Sequence, residues 1–460
     1  MSRTNATRSH AIVMGGSLGG LLTARVLSDH FERVTILERD VIPDQPEARK
    51  GQPHTRHLHG LLATGLEIMT RYFSDLPQAL VEGGAVLSDF AVGMQWYAFG
   101  GYRKRFQMGV KAALMSRPFL ESLVRERVLA RPNVTLQDNC AVKQLLTTDD
   151  RQRVMGVVVE QRTDSQQTTS IMADLVVDCT GRGSRTPQWL AELGYEAPTT
   201  SEVKVDVGYA TRLYQRDPAD PRGENWMLIT PEAPHETRFG GLFPVEGNRW
   251  IVSLGGWAGD HAPTDEASFL AFARSLPAPD IYNIISQAEP MADIIAHKFP
   301  SSLRRHYEKM GRFPAGYLVL GDAISSFNPT YGQGMTSAAL QAVELDKLLT
   351  KQPSLNGLAS AFFKQAAKVI DIPWQLAVGE DFRFPQTTGP KPAGTDLINR
   401  YVARVHRATL HDEVVCLAFL KVMNLMAPPT SLFHPRILWR VLRPRPIPTA
   451  KPVPQWATGD

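Results

Sequence analysis

The chain has 460 residues, 43% of them hydrophobic and 21% charged, with 50 Lys plus Arg against 46 Asp plus Glu. That is length for two or three domains, each able to bury a core, and a charge balance too even to point to a nucleic-acid partner. Cys140, Cys179 and Cys416 lie far apart without CxxC spacing, a pattern that suggests neither a disulfide framework nor a zinc site. The longest apolar run of the late segments, 414–420, falls far short of the ~20 residues of a membrane span. The polar start MSRTNATRSH has no apolar signal-peptide core, so cytoplasm is the expected compartment.

Residues 11–40 read as strand, glycine turn, helix, strand and acid. The apolar run 11–14 predicts a buried strand, GGSLGG (15–20) a turn that brings backbone close to a ligand, and 21–28 a helix. A second strand, 34–37, ends at Glu38, with Arg39 behind it. Glu38 lies about twenty residues past the turn, where a βαβ dinucleotide fold places its ribose-binding acid. Gly15, Ser17, Leu18 and Gly20 would present amides and a helix dipole to a pyrophosphate. Ser17 stands where the strict pattern has glycine, and the turn does not distinguish NAD from FAD. An ordinary tight turn without ligand is the alternative.

The Pro-rich basic connection VIPDQPEARKGQPHTRHLHG (41–60) carries Arg49, Lys50, Arg56, His54, His57 and His59. It is expected to face phosphates or a flavin edge, not to bind metal, because no carboxylate or cysteine signal accompanies the histidines. A helix is predicted over 61–73. A strand is predicted over 96–106, with Arg103-Lys104-Arg105 as a solvated face. Pro118 suits a helix start, and Leu120, Leu123, Val124 and Val128 form one apolar stripe behind it. Arg117, just before that helix, is placed to reach a ligand, with a surface cap as the alternative. Short strands at 134–136 and 141–145 are expected to return the chain to the nucleotide domain. Then 155–160 and 168–173 read as a hairpin joined by TDSQQ, and DLVVDCTG (174–181) as a buried strand ending in Asp-x-x-Gly.

From 203 to 213 apolar and polar residues alternate, the period of a half-buried strand. Further strands at 226–230, 238–244 and 250–255, without crossover helices, predict an antiparallel sheet as a second, inserted domain. Its aromatics Tyr209, Trp226, Phe239, Phe243 and Trp257 could line an apolar substrate pocket or simply pack a core. At 317–320 a buried strand delivers Gly321 and Asp322, then a loop through Pro329, then Gly332-Gln333-Gly334 opening a helix over 335–349. Asp322 is placed to accept from a ribityl or ribose hydroxyl, and the helix start at Gly334 to stabilise negative charge. Residues 355–426 read as helical. The tail 431–460, with five Lys/Arg to one acid, reads as a solvated Pro-rich end.

With 15–38, 178–181 and 321–334 in hand, the chain resembles the FAD-dependent monooxygenases of the p-hydroxybenzoate hydroxylase and squalene epoxidase superfamily over residues 1–350. ARKGQPHTRHLHG and DCTGRGSRTPQWL further resemble the bacterial flavin epoxidases of polyether biosynthesis. The resemblance implies an α/β fold, a Rossmann-like FAD-binding domain (1–200 and 301–350, with substrate-contacting segments near 75–115). It also implies an antiparallel-sheet substrate domain (201–300) and a C-terminal helical region (351–460). It implies FAD, with Gly15, Ser17, Leu18 and Gly20 on the pyrophosphate, Glu38 and Arg39 at the adenosine ribose, and Arg117 on the flavin side. Asp322 would hold the ribityl chain, Gly332, Gly334 and Met335 would meet the ring and phosphates, and Pro329 would lie against the ring. Arg49 and His57 would shape the flavin pocket, and DCTG is associated with both FAD and NAD(P)H.

The implied chemistry passes one oxygen atom of O₂, by way of a C4a-hydroperoxide of the flavin, to an alkene or activated ring of a lipophilic small molecule of secondary metabolism. No catalytic base is nominated. No second glycine fingerprint follows 181, so electrons would come from transiently docked NAD(P)H, near Arg49 and Lys50, or from a separate flavin reductase. The chain lacks WxWxIP, which counts against the related flavin halogenases. The alternatives are an FAD-dependent reductase or dehydrogenase, and a nucleotide-binding protein without turnover whose C-terminal helices serve a partner or membrane surface.

Overall fold

A computed structural model describes residues 8–162, 167–220 and 222–443. Its centre is a five-stranded parallel sheet in the spatial order Tyr317–Val319, Leu175–Asp178, His10–Met14, Arg33–Leu37, Val134–Gln137. His10–Met14 and Leu175–Asp178 are buried at every position, which is why they appear in the sequence as continuous apolar runs. The ladder sets Met14 beside both Leu37 and Asp178, and Asp178 beside Val319. The turns that follow those four residues therefore share one sheet edge, the edge at which open α/β sheets bind ligands. The Leu18–Leu27 helix packs against both the Arg117–Leu129 and the Gly334–Lys351 helices.

Of the two short strands expected at 134–136 and 141–145, the first joins this sheet, while Cys140–Thr147 does not. It pairs antiparallel with Val154–Gln161, which pairs in turn with Thr168–Met172, as a separate three-stranded sheet. Part of the TDSQQ connection, residues 163–166, lies outside the described residues.

The third sheet has eight strands, in the order Ser325–Ser326, Ile295–Arg305, Thr200–Gln215, Arg249–Gly256, Arg238–Val245, Trp226–Ile229, Met94–Ala98, Gly101–Tyr102. It is antiparallel except where Trp226–Ile229 runs parallel to Met94–Ala98. The strand expected over 96–106 is thus broken. Phe99 and Gly100, at φ 53° and 78°, form a two-residue turn between Met94–Ala98 and Gly101–Tyr102. In Thr200–Gln215 the register shifts between Lys204 and Val207, where Asp206 sits at φ 45°. Beyond this bulge both faces are buried, because Ala210, Tyr214, Trp250, Val252 and Leu254 pack under Phe269, Phe272, Ile281 and Ile284 of two short helices.

The opposite face of that sheet is covered by the C-terminal helices Leu358–Asp381, Thr395–Ala408, Glu413–Met423 and Pro435–Leu442. The last of these corrects the reading of the tail as solvated: Ile437 and Val441 are buried in the same cluster as Phe419 and Trp96. Residues 444–460 lie outside the described residues. The reading of Arg103-Lys104-Arg105 as a solvated face holds for Lys104 and Arg105 and is corrected at Arg103. Arg103 is only 5% exposed, its guanidinium lying 4.0 Å from the Trp96 ring and 4.4 Å from that of Phe419. Among the described residues no helix is long and apolar enough to cross a membrane, and no cluster of ligating side chains could hold a metal ion.

Candidate functional site

At the edge of the parallel sheet the glycine turn is fixed by space. Gly15, at φ 104°, donates its amide to the Leu37 carbonyl over 2.8 Å, and a Cβ there would stand 2.7 Å from the Cys179 carbonyl oxygen. A Cβ at Gly20 would stand 1.8 Å from the Gly15 carbonyl oxygen. Neither position admits a side chain without backbone displacement. Ser17 caps the Leu18–Leu27 helix with extended backbone, and its hydroxyl caps no amide. It donates instead to Glu121 Oε2 (3.0 Å) and accepts from Arg117 Nη2 (3.0 Å). The first amides of the helix are consequently free of side-chain partners, and Ser17, Leu18 and Gly19 line a large cavity.

Behind the turn runs a chain of buried charges. Glu38, 5% exposed, accepts from the amides of Gly16 (2.7 Å) and Asp40 (3.0 Å) and pairs with Arg49 Nη1 at 2.9 Å. Arg49 Nη2 meets Glu121 Oε1 at 2.5 Å, and Glu121 Oε2 meets Arg117 Nη1 at 2.9 Å. Burial alone would push the Glu121 carboxyl up. The flanking Arg117 and Arg49 outweigh it and hold the group below its ordinary range. Glu121 was not singled out from the sequence. Its one local signal is its position four residues after Arg117 on the same helix face.

The Asp322 end mirrors the first. Gly321, at φ 72°, donates its amide to Gln341 Oε1 (2.8 Å) and turns the chain out of the sheet. Asp322 lines the cavity with its side chain exposed, meeting no protein hydrogen-bond donor among the described residues. Burial pushes its carboxyl up to about 6 against the pull of Arg182 and Arg117. The short turn Pro329–Tyr331 is capped by Asn328 and closed by Gly332 at φ 66°. The Gly334–Lys351 helix then starts without a side-chain cap. Gln333, 2% exposed, has no partner for either polar side-chain atom, and Thr336 Oγ1 has none either.

One cavity of about 1250 Å³ joins these features. Gly15, Ser17, Leu18, Glu38, Arg39, Arg117, Asp322, Pro329, Gly332, Gly334 and Met335 line it, while Gly20, Arg49 and His57 stand behind the lining. An aromatic part of the same cavity, the chamber, is lined by Trp96, Trp226, Phe243, Trp257, Phe384 and Phe419. His57 donates or accepts at Nδ1 with Thr211 Oγ1 (2.7 Å) and packs edge-on to Tyr209. Burial lowers His57 to about 3 and His54 to about 4, so both imidazoles are neutral at neutral pH. Asp178 of DCTG is spent inside its own turn, accepting from the Thr180 amide, Ser184 Oγ and Thr186 Oγ1.

Asp381, fully buried at the end of Leu358–Asp381, ties the Pro329–Tyr331 turn to the helices. Its Oδ1 accepts from Asn328 Nδ2 (2.8 Å), Tyr331 OH (2.8 Å) and Trp257 Nε1 (3.4 Å), and its Oδ2 has no partner. Burial, outweighing those donors, pushes the carboxyl from 3.8 up to about 7. The folded chain therefore binds this proton more tightly than the unfolded chain, and Asp381 costs stability as pH rises between those two values. Asp381→Asn removes that slope. Urea unfolding at pH 5 and pH 8 should show the variant gaining on wild type at the higher pH, and a constant gap would contradict the assignment.

The donor set suits an elongated dinucleotide. Two helix N-termini without side-chain caps offer positive ends to a pyrophosphate, an unpartnered carboxylate and an unpartnered amide offer hydrogen bonds to a polyol chain and a polar ring, and the two obligatory glycines give close backbone approach. The comparisons with known proteins agree. A family profile described as an FAD binding domain matches residues 8–361. Protein Rv3254 of Mycobacterium tuberculosis is 32% identical over 448 residues, covering 92% of this chain and 91% of that protein. Kynurenine 3-monooxygenase of Salinispora tropica is 24% identical over 397 residues, covering 79% and 77%. Among solved structures, a flavoprotein/dehydrogenase from Cytophaga hutchinsonii superposes with a TM-score of 0.67 at 14% identity, covering 94% and 96% of the two chains. The flavin-dependent brominase Bmp2 does so at 0.62 and 13%, covering 90% and 94%. These two show a shared fold. None of these relatives is named as an epoxidase, so the narrower resemblance to polyether epoxidases gains no support from them. The chain belongs to the FAD-binding family of flavin-dependent monooxygenases, and FAD is its cofactor.

Proposed function

We propose that this chain inserts one oxygen atom of O₂ into a lipophilic small molecule, by hydroxylation of an electron-rich ring in preference to alkene epoxidation. The observation that carries the reading is the single cavity running from the Gly15 turn past Asp322 and Gly332 into the aromatic chamber. A relative named for oxygen insertion, the kynurenine 3-monooxygenase, favours hydroxylation.

In this reading the described residues of 1–200 and of 301–350 hold FAD, those of 201–300 floor the substrate chamber, and 351–443 cover it. Gly15, Ser17, Leu18 and Gly20 take the pyrophosphate, Glu38 the adenosine ribose, Asp322 the ribityl hydroxyls, and Pro329 to Met335 the ring. Bound FAD supplies the oxygen activation. The chain positions the two reactants and excludes water: Trp226, Phe243 and Trp257 wall the chamber, and the neutral histidines add no fixed charge there. NAD(P)H, docked transiently or serving a separate reductase, supplies the electrons. A screen of lipophilic phenols, polyketides and isoprenoids under ¹⁸O₂ tests the proposal. NAD(P)H oxidation stimulated by one of them, with ¹⁸O in the product, supports it. Turnover without label assigns a reductase or dehydrogenase instead.

A further inference from the structure

We infer that the chamber recognises its substrate by a hydroxyl group, taken between His406 Nε2 as donor and the Glu380 carboxylate as acceptor, so that the substrate class is a lipophilic phenol or alcohol. This rests on the monooxygenase reading above and narrows its substrate.

The pair is held from outside the chamber. Arg103, buried between the Trp96 and Phe419 rings, donates to Thr409 Oγ1 and to His406 Nδ1, the latter over 2.7 Å. A guanidinium can only donate, so His406 Nδ1 presents its lone pair and the ring proton resides on Nε2. Phe99 stacks on the imidazole at 4.5 Å and 17°, and Phe419 meets it edge-on at 4.9 Å, which fixes the direction of that N–H. His406 is only 8% exposed and its Nε2 has no hydrogen-bond partner. The nearest carboxylate oxygen, Glu380 Oε1, stands 3.8 Å away, beyond hydrogen-bond reach.

Glu380 is the complementary half. Arg383 Nε lies 2.7 Å from its Oε2. Burial pushes Glu380 up, but the Arg383 guanidinium outweighs it and holds the carboxyl at about 2, so it only accepts. Both side chains line the cavity, with Phe99, Leu376 and Phe419 around them. A donor that cannot accept thus faces an acceptor that cannot donate, with a gap too long for a direct bond. A hydroxyl both accepts and donates and fits this pair. A carbonyl would bring its oxygen to Glu380 without a proton, and an ammonium would leave the His406 N–H unpaired. The place also suits the reaction, because the next residue, Asp381, is bonded to Tyr331 of the turn before Gly332. Arg103 is a positioning residue, acting through His406.

The test compares 2-naphthol with 2-methoxynaphthalene, alike in shape but differing in the donor, by calorimetric titration of the FAD-loaded chain. The wild type should bind 2-naphthol tighter by about tenfold or more. The ratio should fall toward one in His406→Phe and fall several-fold in Glu380→Gln, which keeps a near-identical shape should the first variant fold poorly. A merely structural role would weaken both probes equally and leave the ratio unchanged. Equal affinities in the wild type, no binding of 2-naphthol, or a ratio unmoved in both variants would overturn the inference. FAD retained without hydroxyl preference leaves the monooxygenase reading standing, whereas wild-type chain that takes up no FAD removes both.

Discussion

Arg49→Met is expected to cost about 3–5 kcal/mol of folding stability in the absence of FAD, the cost of leaving buried charge uncompensated. Arg49 sits between Glu38 and Glu121, with all three side chains at most 7% exposed. Without it Glu38 keeps only the two backbone amides and Glu121 must share Arg117. An equally short pair elsewhere makes the control. Arg71 and Glu67 meet at 2.6 Å but are 62% and 61% exposed, so Arg71→Met should change stability by at most about 0.5 kcal/mol. The pH dependence follows with a definite sign. Glu121 titrates in the folded chain below its ordinary value of 4.5. Its contribution is present above that value and is lost as pH falls through the folded one. Removing Arg49 takes away part of the depression, so the acid-unfolding midpoint of Arg49→Met should move to higher pH. Urea and acid titrations followed by circular dichroism read both effects, and equal losses in the two variants would show that the buried network is not what Arg49 serves.

Gly20→Ala should be comparably damaging for a different reason. The added methyl carbon would stand 1.8 Å from a carbonyl oxygen of the same turn, closer than any contact, with Val13 behind it. Backbone must shift where the Leu18–Leu27 helix meets the His10–Met14 strand. Overpacking a rigid core costs about 1–3 kcal/mol and more where backbone is the obstacle, and here the displaced Gly15 also lines the cavity. Gly183, where an added Cβ meets nothing within 4 Å, is the contrasting position. Gly183→Ala should leave the unfolding midpoint within experimental error, while Gly20→Ala lowers it sharply. Similar midpoints would contradict the close packing assigned to the turn.

Much of the parallel sheet could be read directly from the residues because its strands are buried on both faces and bounded by glycine turns. His10–Met14, Leu175–Asp178 and Tyr317–Val319 are short apolar runs, and each delivers a small-residue turn to the same edge. Asp322 and the Gly332–Gly334 opening were legible for the same reason. What escaped depends on partners distant in the chain. Ile295–Arg305 is a central strand, but it buries Ser301, Ser302, Arg304 and Arg305, so no apolar alternation marks it. Arg103 sits in a run of three basic residues that looks solvated, and although Trp96 is near in the chain, Phe419, His406 and Thr409 lie some three hundred positions away. Cys140–Thr147 has ordinary strand composition, and nothing local says which sheet will receive it. Asp381, Glu380 and His406 carry no motif. Their importance comes from where Leu358–Asp381 and Thr395–Ala408 bring them, against the turn before Gly332 and the Phe99 hairpin tip.

The cavity itself joins two stretches that were each ambiguous alone. The Gly15 turn is compatible with either dinucleotide, and Asp322 is an acid after a short strand. Their alignment at one edge of the parallel sheet, on strands separated by Leu175–Asp178, with both adjacent helix starts uncapped, places them along one elongated cavity. The direct test is fluorescence titration of FAD into the purified apo chain, with Asp322→Ala alongside. One FAD should bind per wild-type chain, and Asp322→Ala, having lost the acceptor for a buried hydroxyl, should bind it more weakly by about 1–3 kcal/mol. Absence of saturable FAD uptake by the wild type, or equal affinity in Asp322→Ala, would contradict the placement of the cofactor along this cavity.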